Sequence, residues 1–235
     1  MALPKLDTPT YELEQPSTGE KIKYRPFLVK EQKTLMMAQE SGDDTQVRDA
    51  LANLITGCTF DSIDPYKVPI FDVEFLFLRI RGKSVGEKID LNITCPDDEK
   101  TSVPVQVDIN DISVLMSEEH NNEIDLNNDI KMVFRYPLLK DVKGIPSNTK
   151  EVDLIFHLLN SCIESIKHGD ETYNRVDISE KELTEFIDSL TGEQFERITD
   201  FFQTMPKLRH VIPVKNPKTE VVSEVVVEGL ASFLG

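Results

Sequence analysis

The stretch at residues 71–95, FDVEFLFLRIRGKSVGEKIDLNITC, constrains the fold most, because its hydrophobic period changes in mid-course. In its first half, apolar side chains at helical spacing occupy two faces, with Phe71, Phe75 and Leu78 on one and Leu76, Phe77 and Ile80 on the other. A helix that is apolar on two faces needs cover on both, so we predict a central core helix. We expect it to end at Gly82, which can adopt the left-handed cap conformation, with Arg79 and Arg81 near the negative helix end.

After Gly86 the hydrophobic period becomes two, which predicts a half-buried strand at residues 89–95. A second alternating run at residues 103–109 follows a turn, and it predicts an antiparallel partner for that strand. Pro104 lies in this second strand and cannot donate a hydrogen bond to a ladder. We therefore place the second strand at a sheet edge or at a bulge.

The chain before residue 71 predicts a hairpin and two helices. Extended runs at residues 11–15 and 21–27 flank a turn that contains proline and glycine, as expected of a β-hairpin. A run of good helix formers begins at residue 29 and stops at Gly42, and Asp43 then offers an N-cap for a second helix. Two short helices thus precede the central one.

Beyond the first strand pair, the pattern predicts another pair and then a long helix. Residues 123–126 and 130–136 alternate around a turn and indicate a further hairpin. Apolar residues at helical spacing predict an amphipathic helix at residues 149–167, closed by His168 and Gly169.

The last part of the chain carries the clearest local signals. Ser179 with Glu182 and Thr191 with Gln194 fit the capping box, in which each pair satisfies otherwise unpaired first-turn amides. A final hairpin is predicted from residues 208–214 and 220–227. The apolar end of the chain is expected either to dock on the fold or to be offered to a partner.

These elements predict an α+β fold: a helical core with an N-terminal β-hairpin, an inserted small antiparallel β unit and a helical C-terminal part ending in a hairpin. By element type we divide the chain into an N-terminal hairpin and helical part (1–86), the inserted β unit (87–140) and the helical C-terminal part with its terminal hairpin (141–235). A length of 235 residues with 39% hydrophobic side chains is enough for a real core.

Charge and cysteine content exclude several classes of function. With 42 acidic against 26 basic residues, the formal net charge of -16 would repel a phosphate backbone, so we expect no nucleic-acid partner. We also expect neither a secretion signal nor a membrane span, because no suitable apolar run is present. Three widely separated cysteines, Cys58, Cys95 and Cys162, indicate neither a disulfide framework nor a complete zinc site.

No group of residues has the spacing that catalysis or metal binding requires. The four histidines occur in unrelated contexts, and the Gly82-Lys83-Ser84 sequence lacks the earlier glycine of a phosphate-binding loop. Cys95 lies where a zinc ribbon places the first half of a C-x-x-C knuckle, but the second position is Asp98. We therefore expect no enzyme activity, cofactor, metal or small-molecule substrate, and buried, inert thiols for the cysteines.

Several stretches together resemble one known family. YRPFLVKEQK at residues 24–33, FLRIRGKSVGE at 77–87 and EGLASF at 228–233 are similar to the baseplate hub subunit and hub-assembly family of T4-like myoviruses. The likeness extends over nearly the whole chain. It implies a non-enzymatic bacteriophage protein that helps to assemble the central hub of a contractile-tail baseplate by contacting other hub or tape-measure proteins.

The resemblance leaves three alternatives open. The protein is an assembly factor or chaperone in the cytoplasm of the infected host, a permanent subunit of the virion tail baseplate, or, from another class, a hydrolase with an unrecognised carboxylate pair. As partner-binding residues we choose Pro104, at the expected strand edge, and Phe233 and Leu234, at the apolar end.

Overall fold

The computed structural model describes residues 6–127, 129–145 and 149–233, and over these residues the chain has an α+β fold. In this part of the chain the helices are α1 (Val29–Ser41), α2 (Asp44–Cys58), α3 (Ile70–Val85), α4 (Glu151–Cys162), α5 (Glu180–Asp188) and α6 (Gly192–Thr204). The strands are β1 (Tyr11–Glu14), β2 (Lys21–Tyr24), β3 (Lys88–Thr94), β4 (Ser102–Asp108), β5 (Ser113–Leu115), β6 (Glu123–Asp125), β7 (Ile130–Phe134), β8 (Ile163–His168), β9 (Glu171–Asn174), β10 (Lys207–Lys215) and β11 (Val222–Glu228). Every strand pair is antiparallel. The predicted fold class is confirmed.

Contacts group the chain into two compact units, which we name the first unit (1–115 and 207–235) and the second unit (116–206). The division predicted from the sequence, at residues 86 and 140, rests on element type rather than on contacts, and it stays a prediction.

The first unit is built around α3, as the sequence predicted. Leu76, Leu78 and Ile80 are completely buried in this helix. The unit also contains the β1–β2 hairpin, the two-stranded β3–β4 sheet and a three-stranded sheet in the order β11-β10-β5. The predicted final hairpin is β10–β11, in which Val211 pairs with Val226.

The predicted end of the central helix at Gly82 is wrong. α3 continues to Val85, and Gly86 ends it with a φ of 118°. Gly82 is buried within the helix, and a Cβ at this position would lie 3.5 Å from side-chain atoms of Ile109. This is an ordinary van der Waals distance, so Gly82 is simply an interior residue of the helix that packs beside Ile109.

The second unit is a four-stranded sheet, in the order β6-β7-β8-β9, covered by helices. Its core contains Met132, Phe134, Leu159, Leu183, Ile198 and Phe201. Both predicted capping boxes are present, with Ser179 at the start of α5 and Thr191 at the start of α6. The hairpin predicted at residues 123–136 is confirmed as β6–β7.

The helix predicted at residues 149–167 is wrong in its second half. α4 ends at Cys162, and the chain continues directly into β8, which pairs with both β7 and β9. Ile163 and Ile166 fit either a helix face or a buried strand, and their β-branched side chains are well suited to a sheet. The open edge of β7 decides in favour of the strand, and this edge is formed by residues about thirty positions earlier.

Candidate protein interaction site

The described residues bring together no group of three His, Cys, Asp or Glu side chains that could hold a metal ion. His120 is half-buried in the second unit, where its Nδ1 lies 3.0 Å from Thr204 Oγ1 and its ring stacks on Tyr136. Burial lowers the pKa of His120, because desolvation disfavours the charged imidazolium. This histidine is a packing residue of an aromatic cluster.

A cavity of about 340 Å³ in the second unit contains two carboxylates, Asp177 and Glu182, with His168, Tyr173 and apolar side chains as the rest of its lining. Glu182 already accepts hydrogen bonds from Ser179 N at 2.9 Å and Ser179 Oγ at 2.6 Å, as the cap of α5. Hydrogen bonds from Ser179 lower the pKa of Glu182, so this carboxylate is held ionised. Glu182 therefore acts as a helix cap and lacks the raised pKa of a general acid.

The turn after Cys95 meets the turn of the β10–β11 hairpin through hydrogen bonds. Asn216 is completely buried and its Nδ2 donates to both carboxylate oxygens of Asp97, at 3.0 Å each. Thr219 Oγ1 donates to the same carboxylate. Cys95 is buried, and its backbone N–H donates to Thr101 O at 2.8 Å. Polar contacts therefore join the two turns.

Pro104 lies in β4, directly opposite Asn92 of β3, and it is exposed. Within the described part of the chain β4 pairs with β3 alone, so the predicted edge position is correct. Whether a partner contacts this edge stays a prediction.

Phe233 is completely buried in the first unit, so its side chain is not on the surface. Nearby, Glu74 Oε1 accepts a hydrogen bond from Leu230 N at 3.2 Å, which ties the C-terminal turn to α3. Leu234 lies outside the described residues. A partner contact by these two C-terminal residues stays a prediction, and the burial of Phe233 favours the docked alternative.

An exposed apolar surface of the first unit lies on α1. Ala38 is the buried residue of this helix, whereas Val29, Met36 and Met37 are 79%, 52% and 60% exposed. An apolar helix face in water is unfavourable, and such surfaces in soluble proteins mark interaction sites. α1 packs on α2, and α2 packs on α3.

These three helices enclose an open groove of about 300 Å³, which we name the α1 groove. Its walls and floor are mostly apolar and are formed by Phe27, Gln32, Leu35, Met36, Gln39, Val47, Leu51, Phe77, Arg81, Val85 and Leu230. Phe77 and Leu230 are buried, and Met36 and Val85 are more than half exposed. The groove thus offers apolar side chains at its base and along its rim.

Two arginines of α3 differ in their contacts. Arg79 donates to Ile109 O and Ile112 O, each at 2.9 Å, and its guanidinium lies over the Phe75 ring. Arg81 lines the α1 groove, and its Nη1 is buried with no hydrogen-bond partner among the described residues. Burial lowers the pKa of Arg81, because desolvation disfavours its charge. Arg79 therefore holds the backbone carbonyls of Ile109 and Ile112. Arg81 is a cation in a mostly apolar groove, and its Nη1 has no hydrogen-bond partner among the described residues.

Comparison with known proteins identifies the family of this chain. Residues 8–235 match the family described as T4 bacteriophage base plate protein. The chain belongs to this base plate protein family. It is also 26% identical, over 215 residues, to the baseplate hub assembly protein gp26 of Enterobacteria phage T4, and the match covers 90% of this chain and 91% of the relative. No solved structure matches.

Sequence reasoning placed Arg81 of this base plate family member near a helix end and missed its place in the groove. A signal was present in the composition of α1, VKEQKTLMMAQES, where two adjacent methionines between Leu35 and Ala38 interrupt an otherwise mostly polar helix. Methionine is adaptable and frequent at binding surfaces. An apolar pair on a mostly polar helix is therefore a sign of an interface. In the structure as described, no helix combines the length and hydropathy of a membrane span.

Proposed function

We propose that this base plate family member acts without catalysis in assembling the central hub of a contractile-tail baseplate, by binding other hub or tape-measure subunits. The observation that carries the proposal is the match to a hub assembly protein over nine-tenths of both chains. The exposed apolar face of α1 supports it, because an assembly factor needs a surface that a partner can cover.

The contacts of the buried carboxylates give no support to a hydrolase. Asp72 is completely buried, and burial raises its pKa against the hydrogen bonds that it accepts from Gln15 and Ser17. Burial also raises the pKa of Glu74, which accepts from Leu230 N. Each carboxylate thus joins segments of the first unit, as a structural residue does.

The proposal is tested by deleting the gene in the phage and examining tail assembly by electron microscopy. Baseplate wedges should form and functional hubs should be missing, and plasmid expression of the chain should restore the hubs. Normal tails from the deletion mutant would contradict a role in assembly.

A permanent subunit and an assembly chaperone both bind partners, but they differ in how many copies remain in the finished virion. Quantitative mass spectrometry of purified virions, beside precipitates of the tagged chain from infected cells, separates the two. We expect hub or tape-measure subunits in the precipitate with little of the chain in virions. Stoichiometric copies in virions would make it a permanent baseplate subunit instead.

A further inference from the structure

The α1 groove combines two features that the fold itself does not require. Its apolar rim at Met36 and Val85 is exposed, and α1 contributes one buried residue, Ala38, to the fold. A helix held by so little burial gains stability when a partner covers its apolar side. The groove is therefore suited to an apolar segment.

The charge of Arg81 indicates what else that segment must carry. The chain has an excess of 16 negative charges, yet no described carboxylate pairs with the buried Nη1 of Arg81, a residue that is half-buried as a whole. An unpaired buried donor is costly, and a guanidinium is best satisfied by a carboxylate, to which it can donate two parallel hydrogen bonds. Since Arg81 is already partly desolvated, a carboxylate that reaches it meets a preorganised site.

We propose that the α1 groove receives an apolar helical segment of a hub or tape-measure subunit, with one Asp or Glu of that segment bound to Arg81. This inference rests on the proposed function and specifies its contact. Laying an amphipathic helix in a groove between helices is a common mode of recognition. A second copy of this chain is disfavoured as the occupant, because two surfaces with a net charge of -16 repel each other.

The occupant can be identified by photo-crosslinking in the full-length chain. A photoreactive phenylalanine derivative replaces Met36 at the rim of the groove, and a control chain carries it at Val176, which is 91% exposed in the second unit. Each chain is co-expressed with the hub and tape-measure subunits of the same phage. We expect position 36, and not position 176, to crosslink to a segment in which an acidic residue lies between apolar ones.

The role of Arg81 is tested with Arg81→Met, which keeps the apolar stem and removes the charge. The matched control is Lys100→Met, at an exposed turn residue. Affinity for the crosslinked subunit, measured by calorimetry, should fall roughly tenfold or more for R81M and stay within about twofold of wild type for K100M. The melting temperature of R81M alone should equal or exceed that of wild type, because an unpaired buried donor is removed.

A charge exchange covers the case in which R81M folds poorly. Arg81→Glu should abolish binding to the wild-type subunit, and changing the partner's crosslinked Asp or Glu to Lys should restore it. Failure of this rescue, or unchanged affinity of R81M, would overturn the assignment of a carboxylate to Arg81.

The remaining outcomes separate this inference from the proposed function. If a hub or tape-measure subunit binds but position 36 crosslinks to none of its segments, the groove is wrong and the function stands. Crosslinks from position 36 to a second copy, or to residues 234–235 of the same chain, would equally overturn the proposed occupant. If no hub or tape-measure subunit binds the chain at all, the function itself fails.

Discussion

An arginine in each unit forms the same ion pair, six residues before its acidic partner. In the first unit, Arg25 Nη2 lies 2.9 Å from Glu31 Oε1. In the second, Arg135 Nη1 and Nη2 lie 2.6 and 3.0 Å from the two oxygens of Asp141. All four side chains are at most 31% exposed. We name these arrangements the first clamp and the second clamp.

The two clamps also have the same backbone hydrogen bonds around them. The leucine three residues after each arginine donates its N–H to the clamp carboxylate at 2.8 Å, from Leu28 in one case and Leu138 in the other. Each arginine donates its own backbone N–H, at 2.9 Å, to the carbonyl of a buried cysteine. These cysteines, Cys58 and Cys162, are the last residues of α2 and α4. One local structure is thus used twice.

The two clamps differ in the element that comes next in the chain. Glu31 of the first clamp lies in the first turn of the 13-residue helix α1, whereas Asp141 of the second lies in a short 3-10 turn, Leu139–Val142. A clamp therefore does not need a long helix after it. Since Ala38 is the one buried residue of α1, the comparison fits the proposal that this helix contacts a partner.

Breaking the second clamp should have the largest effect. Arg135→Met leaves Asp141, 7% exposed, without its cation, and also removes hydrogen bonds to Tyr136 O at 3.1 Å and Ser161 O at 2.6 Å. Removing one partner of a buried ion pair costs about 3–5 kcal/mol. Denaturant unfolding of the purified chain measures this loss. Lys140→Met, at an exposed neighbour, is the control.

Breaking the first clamp should cost less, about 2–3 kcal/mol for Arg25→Met. Arg25 forms a single hydrogen bond to Glu31, one to Pro26 O and a long contact of 3.7 Å to Cys58 Sγ. Glu31 keeps its bond from Leu28 N and its contact with Lys30 at 3.4 Å. A loss equal to that of the Arg135 variant would show that the two clamps are energetically equivalent.

Lowering the pH should weaken both clamps. Burial raises the pKa of Glu31 and of Asp141, but hydrogen bonds from the arginine and the leucine N–H outweigh it, so both pKa values are lowered. A lowered folded-state pKa stabilises the protein above the unfolded pKa of about 4, and this stability is lost as the pH falls through the folded-state value. Asp141→Asn should flatten the acid limb of a plot of unfolding free energy against pH, and a slope identical to wild type would contradict the clamp's contribution.

The smallest effect is expected on the exposed face of α1. Met36→Gln and Met37→Gln should each change the free energy of unfolding by less than about 0.5 kcal/mol, because surface substitutions remove few contacts. Ala38→Gln, at the buried position of the same helix, is the contrast and should destabilise clearly. Large losses from the methionine variants would mean that α1 stabilises the first unit after all.

The clamps also show how far sequence reasoning could go. The pattern R-x-x-L-x-K followed by an acidic residue occurs at 25–31 and at 135–141, so the repeat was open to detection from spacing alone. The hydrogen bonds to the carbonyls of Cys58 and Cys162 could not be detected in this way, because these cysteines lie 33 and 27 positions after their arginines. Spacing can suggest an ion pair, but it cannot place a distant helix end beside it.

By itself the sequence determined the features that depend on a few neighbouring residues. The Gly42 stop of α1, the Asp43 cap of α2, the boxes at Ser179 and Thr191 and the alternating strands are such features. Each is set by hydrogen bonds or steric limits within about one turn of backbone. The excess of acidic residues and the family likeness were equally present in the sequence.

Only the tertiary structure decided the features that depend on distant partners. The strand at 163–168 exists because β7 supplies a ladder, α3 continues past Gly82 to Val85, and Phe233 is buried in the first unit. Arg79 and Arg81 are two residues apart and look alike in the sequence. Packing satisfies one with backbone carbonyls and leaves Nη1 of the other without a partner in the described part of the chain, because hydrogen-bond partners are assigned by the folded chain and not by local pattern.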